Sequence, residues 1–83
     1  AIGGGNFVST TIKSILNEAV KIEANKIILI HNHPTGDPTP SKQDIEFTKN
    51  VKKASEILGI QLLDHVVIGE GRYVSIFSVM QKL

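Results

Sequence analysis

Two histidines, a serine and an aspartate between residues 31 and 44 have the types and the spacing of a metal site. They are His31, His33, Ser41 and Asp44, in the stretch HNHPTGDPTPSKQD. Because residues two apart in an extended chain point to the same side, His31 and His33 can direct their imidazoles at one point. A helix that begins at Ser41 would bring the Asp44 carboxylate back towards them in its first turn. Two nitrogens and one oxygen would leave the fourth tetrahedral position of a zinc ion open for water, as in catalytic zinc sites.

A turn followed by a helix cap is the alternative interpretation of the same residues. Pro34, Pro38 and Pro40 make the chain turn without regular structure. Ser41 with Asp44 is also a variant of the capping box, which stabilises the start of a helix without any metal. Each part alone is more often structural than catalytic. It is the joint occurrence of His-x-His and Ser-x-x-Asp that favours a metal site.

The residues ahead of the histidines predict a helix and then a buried strand. Apolar side chains recur at helical spacing from one of the N-cap candidates Ser9, Thr10 and Thr11 to about Ala24. Asn25 can take the left-handed conformation that ends a helix. The run KIILI that follows is continuous and apolar, which is typical of a strand covered on both faces.

The residues after the loop predict a second helix and two more strands. The helix runs from about Lys42 to Leu58, and Gly59 is its expected terminator. IQLLDHVVIG and RYVSIF are β-rich, and the GEG between them suits a three-residue hairpin turn. A strand, a helix and a strand in this order indicate a crossover unit, so the predicted fold class is α/β, with a mixed β-sheet flanked by helices. Ligands of such sheets gather beyond the carboxyl ends of the strands, where the two histidines lie.

Composition excludes several other classes of protein. The chain has 83 residues, which we treat as one domain over residues 1–83, and its formal net charge of +1 gives no electrostatic footprint for nucleic acid or an anionic membrane. It has no cysteine, which excludes thiolate metal sites and fits a reducing compartment. Its longest purely apolar run is far shorter than a membrane span. We therefore expect a soluble, cytoplasmic protein that does not associate with membranes.

The spacing His31, one residue, His33, seven residues, Ser41, two residues, Asp44 matches the H-x-H-x7-S-x2-D signature of the JAMM or MPN+ metalloprotease family. From about Lys26 to Ser78 the chain closely resembles the RadC branch of that family. The resemblance implies the three-layer JAB/MPN architecture, similar to cytidine deaminases, with zinc held by His31, His33 and Asp44. It also implies that Ser41 hydrogen-bonds the zinc-bound water or stabilises the oxyanion.

The same resemblance draws attention to a missing carboxylate. Family members carry a glutamate well upstream of the first histidine, where it acts as general base. Glu18 and Glu23 are the only acidic residues before His31, and we expect both on exposed or packing sides of the first helix, so no general base is assigned in this chain. We therefore expect a domain truncated at its N-terminus. Such a truncation would leave a sheet edge open, which predicts homo-oligomers formed through that edge.

Other polar residues are given structural roles. Asp64 and His65 are adjacent on a strand, so they face opposite sides and cannot form a simple dyad. We expect His65 to be a hydrogen-bonded structural histidine and Asp37 to form a turn. The glycine run at residues 3–5 offers backbone amides to an anion, which is weak support for a site.

Two functions remain open at this point. The first is a zinc-dependent hydrolase of the JAMM type, in which metal-activated water attacks a peptide or isopeptide bond of a protein substrate; without the glutamate, we expect this chain alone to be inactive. The alternative is a non-catalytic module, associated with DNA repair or with protein binding, that retains the fold. The low net charge does not support DNA association.

Overall fold

The computed structural model of the chain describes residues 11–82. The expected caps Ser9 and Thr10 and the glycine run at residues 3–5 lie outside the described residues. The elements are α1 (Ile12–Lys21), β1 (Lys26–Asn32), α2 (Lys42–Ile57), β2 (Gln61–Gly69), β3 (Arg72–Ser75) and α3 (Ile76–Met80). Within residues 11–82 no helix is long and apolar enough to cross a membrane.

The described strands form one mixed sheet in the order β1-β2-β3. β1 and β2 are parallel and joined by α2, whereas β2 and β3 are antiparallel. The register between the parallel strands shifts once, between Ile27 and Ile28, so that Leu29 lies opposite His65 and His31 lies opposite Val67. The predicted α/β class and the crossover unit are confirmed.

The core lies between the helices and one face of the sheet. It is a cluster of buried side chains from α1, α2 and the first two strands, made up of Ile15, Leu16, Ala19, Ile27, Leu29, Val51, Ile60 and Leu62. Burial alternates along β1, because Ile27 and Leu29 face this cluster while Ile28 and Ile30 are 44% and 47% exposed. The expectation of a strand covered on both faces is therefore wrong for the described part of the chain.

Both long helices end in the same way. In α2 the Gly59 N–H bonds to the Glu56 carbonyl and the Ile60 N–H to the Ser55 carbonyl, with Gly59 at a φ of 73°. This is the Schellman arrangement, and it confirms Gly59 as the terminator.

The end of α1 differs from the prediction. Its last helical residue is Lys21, not Ala24, and Glu23 rather than Asn25 takes the left-handed conformation, with a φ of 54°. The N–H groups of Glu23 and Ala24 bond to the carbonyls of Val20 and Ala19 and so complete the same Schellman motif. The helix therefore stops one turn early because these two bonds close it.

The C-terminal part also differs from the prediction. Only Glu70 and Gly71 connect β2 and β3, so the turn has two residues and not three, and Gly71 has a φ of 64°. β3 ends at Ser75, and the last two residues of RYVSIF begin α3 instead of extending the strand. Ser75 caps α3 by accepting the Ser78 N–H. Asp64 accepts from the Ser75 hydroxyl and the Phe77 N–H, which fixes this helix start against β2.

We predict that Glu23→Gly raises the free energy of unfolding by about 0.5–1 kcal/mol, since glycine adopts a positive φ without the Cβ penalty. Gly59→Ala is the matched control at the equivalent position of α2 and should lose about 1 kcal/mol. Urea unfolding followed by circular dichroism measures both. A loss of stability in Glu23→Gly would contradict the assigned end of α1.

Candidate metal centre

The two histidines lie where β1 leaves the sheet. His31 is in the last residues of β1, and the His33 N–H bonds to the Ile68 carbonyl just beyond it at 2.9 Å. The two imidazole rings meet edge to face, with their centroids 4.7 Å apart. The extended backbone therefore places both side chains on one side of the chain, as the His-x-His spacing predicts.

Asp44 reaches the histidines because of the way α2 begins. Ser41 is the N-cap, its hydroxyl accepts the Asp44 N–H at 3.1 Å, and its own N–H donates to Asp44 Oδ2 at 2.8 Å. This reciprocal pair is a capping box with aspartate at the third helical position. It holds the Asp44 carboxylate at the N-terminal end of α2, on the side of β1.

The three side chains converge on one point. His33 Nε2 lies 3.3 Å from Asp44 Oδ2, and His31 Nδ1 lies 3.6 Å from Asp44 Oδ1. One ligand atom from each of the three residues fits within 4.8 Å of the others. Two imidazole nitrogens and one carboxylate oxygen are a donor set that suits zinc and leaves room for a further ligand. The metal-site and capping-box interpretations therefore describe the same atoms.

The second ring nitrogen of His33, Nδ1, has a defined partner. His33 Nδ1 lies 2.8 Å from the Asp37 carbonyl oxygen, which can only accept. His33 Nδ1 must therefore carry a proton, which leaves Nε2, on the side of Asp44, as the nitrogen that could bind a metal. Asp37 forms the predicted turn, since its carboxylate accepts from both the N–H and the hydroxyl of Thr39. These hydrogen bonds from Thr39 hold the pKa of Asp37 below its ordinary value.

The loop between His33 and Ser41 is fixed against the end of β2. The Gly36 N–H bonds to the His33 carbonyl, and the Gly36 carbonyl accepts the Glu70 N–H at 2.9 Å. Gly36 has a φ of 85°, which its lack of a side chain permits. Gly69 lies so close that an added Cβ would meet the Gly36 carbonyl and would lie 2.8 Å from Pro38 Cδ. The loop between His33 and Ser41 therefore depends on a glycine in β2.

The Asp44 carboxyl group remains ionised. Burial works to raise its pKa, but the hydrogen bonds from Ser41 and the nearby His31 and His33 outweigh burial, so the pKa lies below the ordinary value. The N-terminus of α2 favours the same negative charge. The carboxylate is thus available as a ligand throughout the neutral range.

Ser41 lies at the candidate centre, whereas the two upstream glutamates lie on or at the end of α1. The Ser41 hydroxyl caps α2 through one lone pair, which leaves its own proton free to donate. Glu18 is exposed and lies 3.9 Å from Lys21, and Glu23 forms the end of α1. Neither glutamate belongs to the group of ligand atoms found within residues 11–82.

Sequence reasoning placed Asp64 and His65 on opposite sides of β2, and their partners agree. Asp64 bonds to Ser75 and Phe77, whereas His65 Nδ1 lies 2.6 Å from the Thr48 hydroxyl. Burial, with a contribution from His31, lowers the pKa of His65 to about 4, so the ring is neutral. Thr48 was not singled out from the sequence, because a threonine inside an amphipathic helix gives no signal of its partner.

Comparisons with known proteins relate this chain to one family. Residues 1–82 match the family described as the RadC-like JAB domain. A UPF0758 protein of Carboxydothermus hydrogenoformans is 61% identical over 75 residues, which are 90% of this chain and 33% of the relative. A UPF0758 protein of Aquifex aeolicus is 55% identical over 75 residues, which are 90% of this chain and 32% of that relative. The chain spans about a third of the length of these relatives.

Asp44→Asn should separate the two roles of this side chain. The asparagine oxygen can still accept the Ser41 N–H, so the metal-free protein should lose less than about 1 kcal/mol of stability. Loss of the charged ligand should raise the zinc dissociation constant by roughly 100-fold or more, measured by competition with a chromophoric chelator. Thr11→Ala is the control: it removes the N-cap of α1, should cost about 1 kcal/mol, and should leave zinc binding unchanged. Wild-type affinity in Asp44→Asn would exclude Asp44 as a ligand.

Gly69→Ala should weaken zinc binding without touching a ligand. The new methyl group must displace the loop at Gly36 and Pro38, which should cost about 1–3 kcal/mol of stability and raise the zinc dissociation constant by about tenfold or more. Gly71→Ala is the control, because it is strained by its φ of 64° but meets no neighbour within 4 Å. Equal zinc affinities in these two variants would show that the loop does not depend on Gly69.

Proposed function

The chain belongs to the RadC-like JAB domain family, and on that basis we propose that it is the metal-binding part of a zinc-dependent hydrolase that cleaves peptide or isopeptide bonds. The observation that carries the proposal is the convergence of His31, His33 and Asp44. Their spacing matches the H-x-H-x7-S-x2-D signature of JAMM enzymes, and their ligand atoms meet at the carboxyl end of β1, where α/β proteins bind ligands.

The donor set fits a catalytic rather than a structural zinc ion. Structural sites are closed by four protein ligands, commonly cysteines, whereas catalytic sites use three ligands and keep one position open. The residues described by the structure supply three ligands, and the chain has no cysteine. Zinc bound there would polarise a substrate carbonyl and lower the pKa of a coordinated water to about 7.

Each residue of the centre has a defined task in this proposal. His33 presents the Nε2 lone pair because its proton is held on Nδ1 by the Asp37 carbonyl. Asp44 contributes a negative charge that the Ser41 N–H keeps in place. The Ser41 hydroxyl, whose proton remains free while it caps α2, donates to an oxygen of the substrate as charge develops there.

The general base and the substrate are the two components of the reaction that the described residues do not supply. We propose that a glutamate of the longer protein, outside residues 1–83, removes the proton from the attacking water, as the resemblance to JAMM enzymes implies. A protein or peptide is the substrate class that this chemistry serves. A non-catalytic module of the same fold is the competing proposal, and the test below distinguishes the two.

Metal content and hydrolysis of the purified full-length protein, which would include the glutamate, test the proposal together. We expect one zinc per chain, and cleavage of a fluorogenic peptide or ubiquitin-type isopeptide substrate that a chelator abolishes and added zinc restores. His33→Ala should lose most of the metal and lower the rate by roughly 100-fold or more. Asn17→Ala, on the exposed side of α1, is the control and should retain both.

Two outcomes would overturn the hydrolase proposal. The absence of stoichiometric zinc from the purified full-length protein would be the first. A zinc-loaded protein in which His33→Ala changes neither metal content nor rate would be the second. Zinc bound at full occupancy without cleavage of any amide substrate would favour the non-catalytic module.

A further inference from the structure

A buried pair of polar side chains connects α2 to β2 next to the candidate centre. Thr48 is fully buried and His65 is 4% exposed. The Thr48 hydroxyl donates to the Asp44 carbonyl oxygen at 2.7 Å and lies 2.6 Å from His65 Nδ1. Thr48 therefore contacts the backbone of a ligand residue directly, one helical turn after it.

His65 also contacts a second ligand residue. Its ring is stacked against the ring of His31, with centroids 6.1 Å apart and planes inclined by 26°. The strand register explains this contact, because Leu29 is paired with His65 and His31 with Val67, so both histidines lie on the same face of neighbouring strands. His65 thus contacts His31 directly and reaches Asp44 through Thr48.

The number of protons available on each group sets the direction of the hydrogen bonds. A threonine hydroxyl has one proton, and the Asp44 carbonyl can only accept it. The Thr48 oxygen must then accept from His65, so the neutral ring of His65 carries its proton on Nδ1. The contacts from His31 through His65 and Thr48 to Asp44 are therefore continuous.

We propose that His65 and Thr48 are positioning residues that fix His31 and Asp44 relative to one another and thereby set zinc affinity; this inference rests on the proposed zinc function. An apolar pair of the same size would also fill the space between α2 and β2. It would not fix the direction of the Asp44 carbonyl or of the His31 ring. Outer residues that orient metal ligands in this way commonly change metal affinity by about 10–100-fold.

Zinc affinity of matched variants tests the proposal. Thr48→Val removes the hydroxyl but keeps the shape, and His65→Phe keeps a ring but removes its N–H. Each should raise the zinc dissociation constant by about tenfold. The double variant should raise it by less than the product of the two single effects, because both substitutions break the same hydrogen bond between Thr48 and His65. Thr48→Ser restores the hydroxyl and should bind within about twofold of the wild type.

Ser55→Ala is the control for simple loss of stability. Ser55 is also fully buried on α2, about three helical turns beyond Asp44, and its hydroxyl donates to the Lys52 carbonyl at 3.0 Å. It should lower the unfolding midpoint and leave the zinc dissociation constant unchanged. A structural role alone for Thr48 would make Thr48→Val behave like this control.

A nitrogen-15 NMR measurement of the metal-free wild type keeps the proposal testable even if a variant does not fold. The expected signature is a proton on His65 Nδ1. A proton on Nε2, or wild-type zinc affinity in both Thr48→Val and His65→Phe, would overturn the positioning role. Failure of the wild type itself to bind zinc would instead overturn the proposed function on which this inference rests.

Discussion

The hydrogen bond from the Ser41 N–H to the Asp44 carboxylate joins the start of a helix to the candidate metal centre. The carboxylate in a capping box accepts the N–H of the N-cap residue, and the helix dipole favours its negative charge. At α2 that position faces the end of β1, so the carboxylate which closes the helix also lies 3.3 Å from His33. The local folding of α2 therefore places the charged ligand of the centre, and the helix cannot start one residue later without losing it.

The sheet determines where the two histidines lie. In a parallel pair joined by a crossover helix, the first strand ends at the same edge where that helix begins. β1 accordingly delivers His31 and His33 to the point where α2 starts. The intervening loop has no regular structure, yet its backbone is fixed by bonds to β2 and by the close approach of Gly36 to Gly69. A rigid scaffold with a short, well-anchored loop is what a preorganised ligand set requires.

The sequence predicts the parts of this account that depend on local spacing. The His-x-His pair, the Ser-x-x-Asp cap and Gly59 each follow from residue types a few positions apart, and so does the order of strands and helices. The left-handed Glu23 was missed because asparagine is the better candidate by propensity, while the bonds that close α1 depend on where its last turn packs. The start of α3 was missed because Ile76 and Phe77 have high β propensity, which Ser75 and Asp64 override through the cap. The link between Thr48 and His65 joins residues 17 positions apart, and no local pattern reports it.

In the proposed centre, one zinc ion is held by His31, His33 and Asp44 alone among the residues described by the structure. Anomalous diffraction from a crystal of the zinc-loaded protein, collected on either side of the zinc absorption edge, tests it most directly. We expect one strong anomalous peak at about 2.0–2.2 Å from a nitrogen of each histidine and an oxygen of Asp44, with at least one coordination position not filled by protein. A peak elsewhere on the molecule, or one in which Asp44 remains only a cap and does not contact the metal, would contradict it.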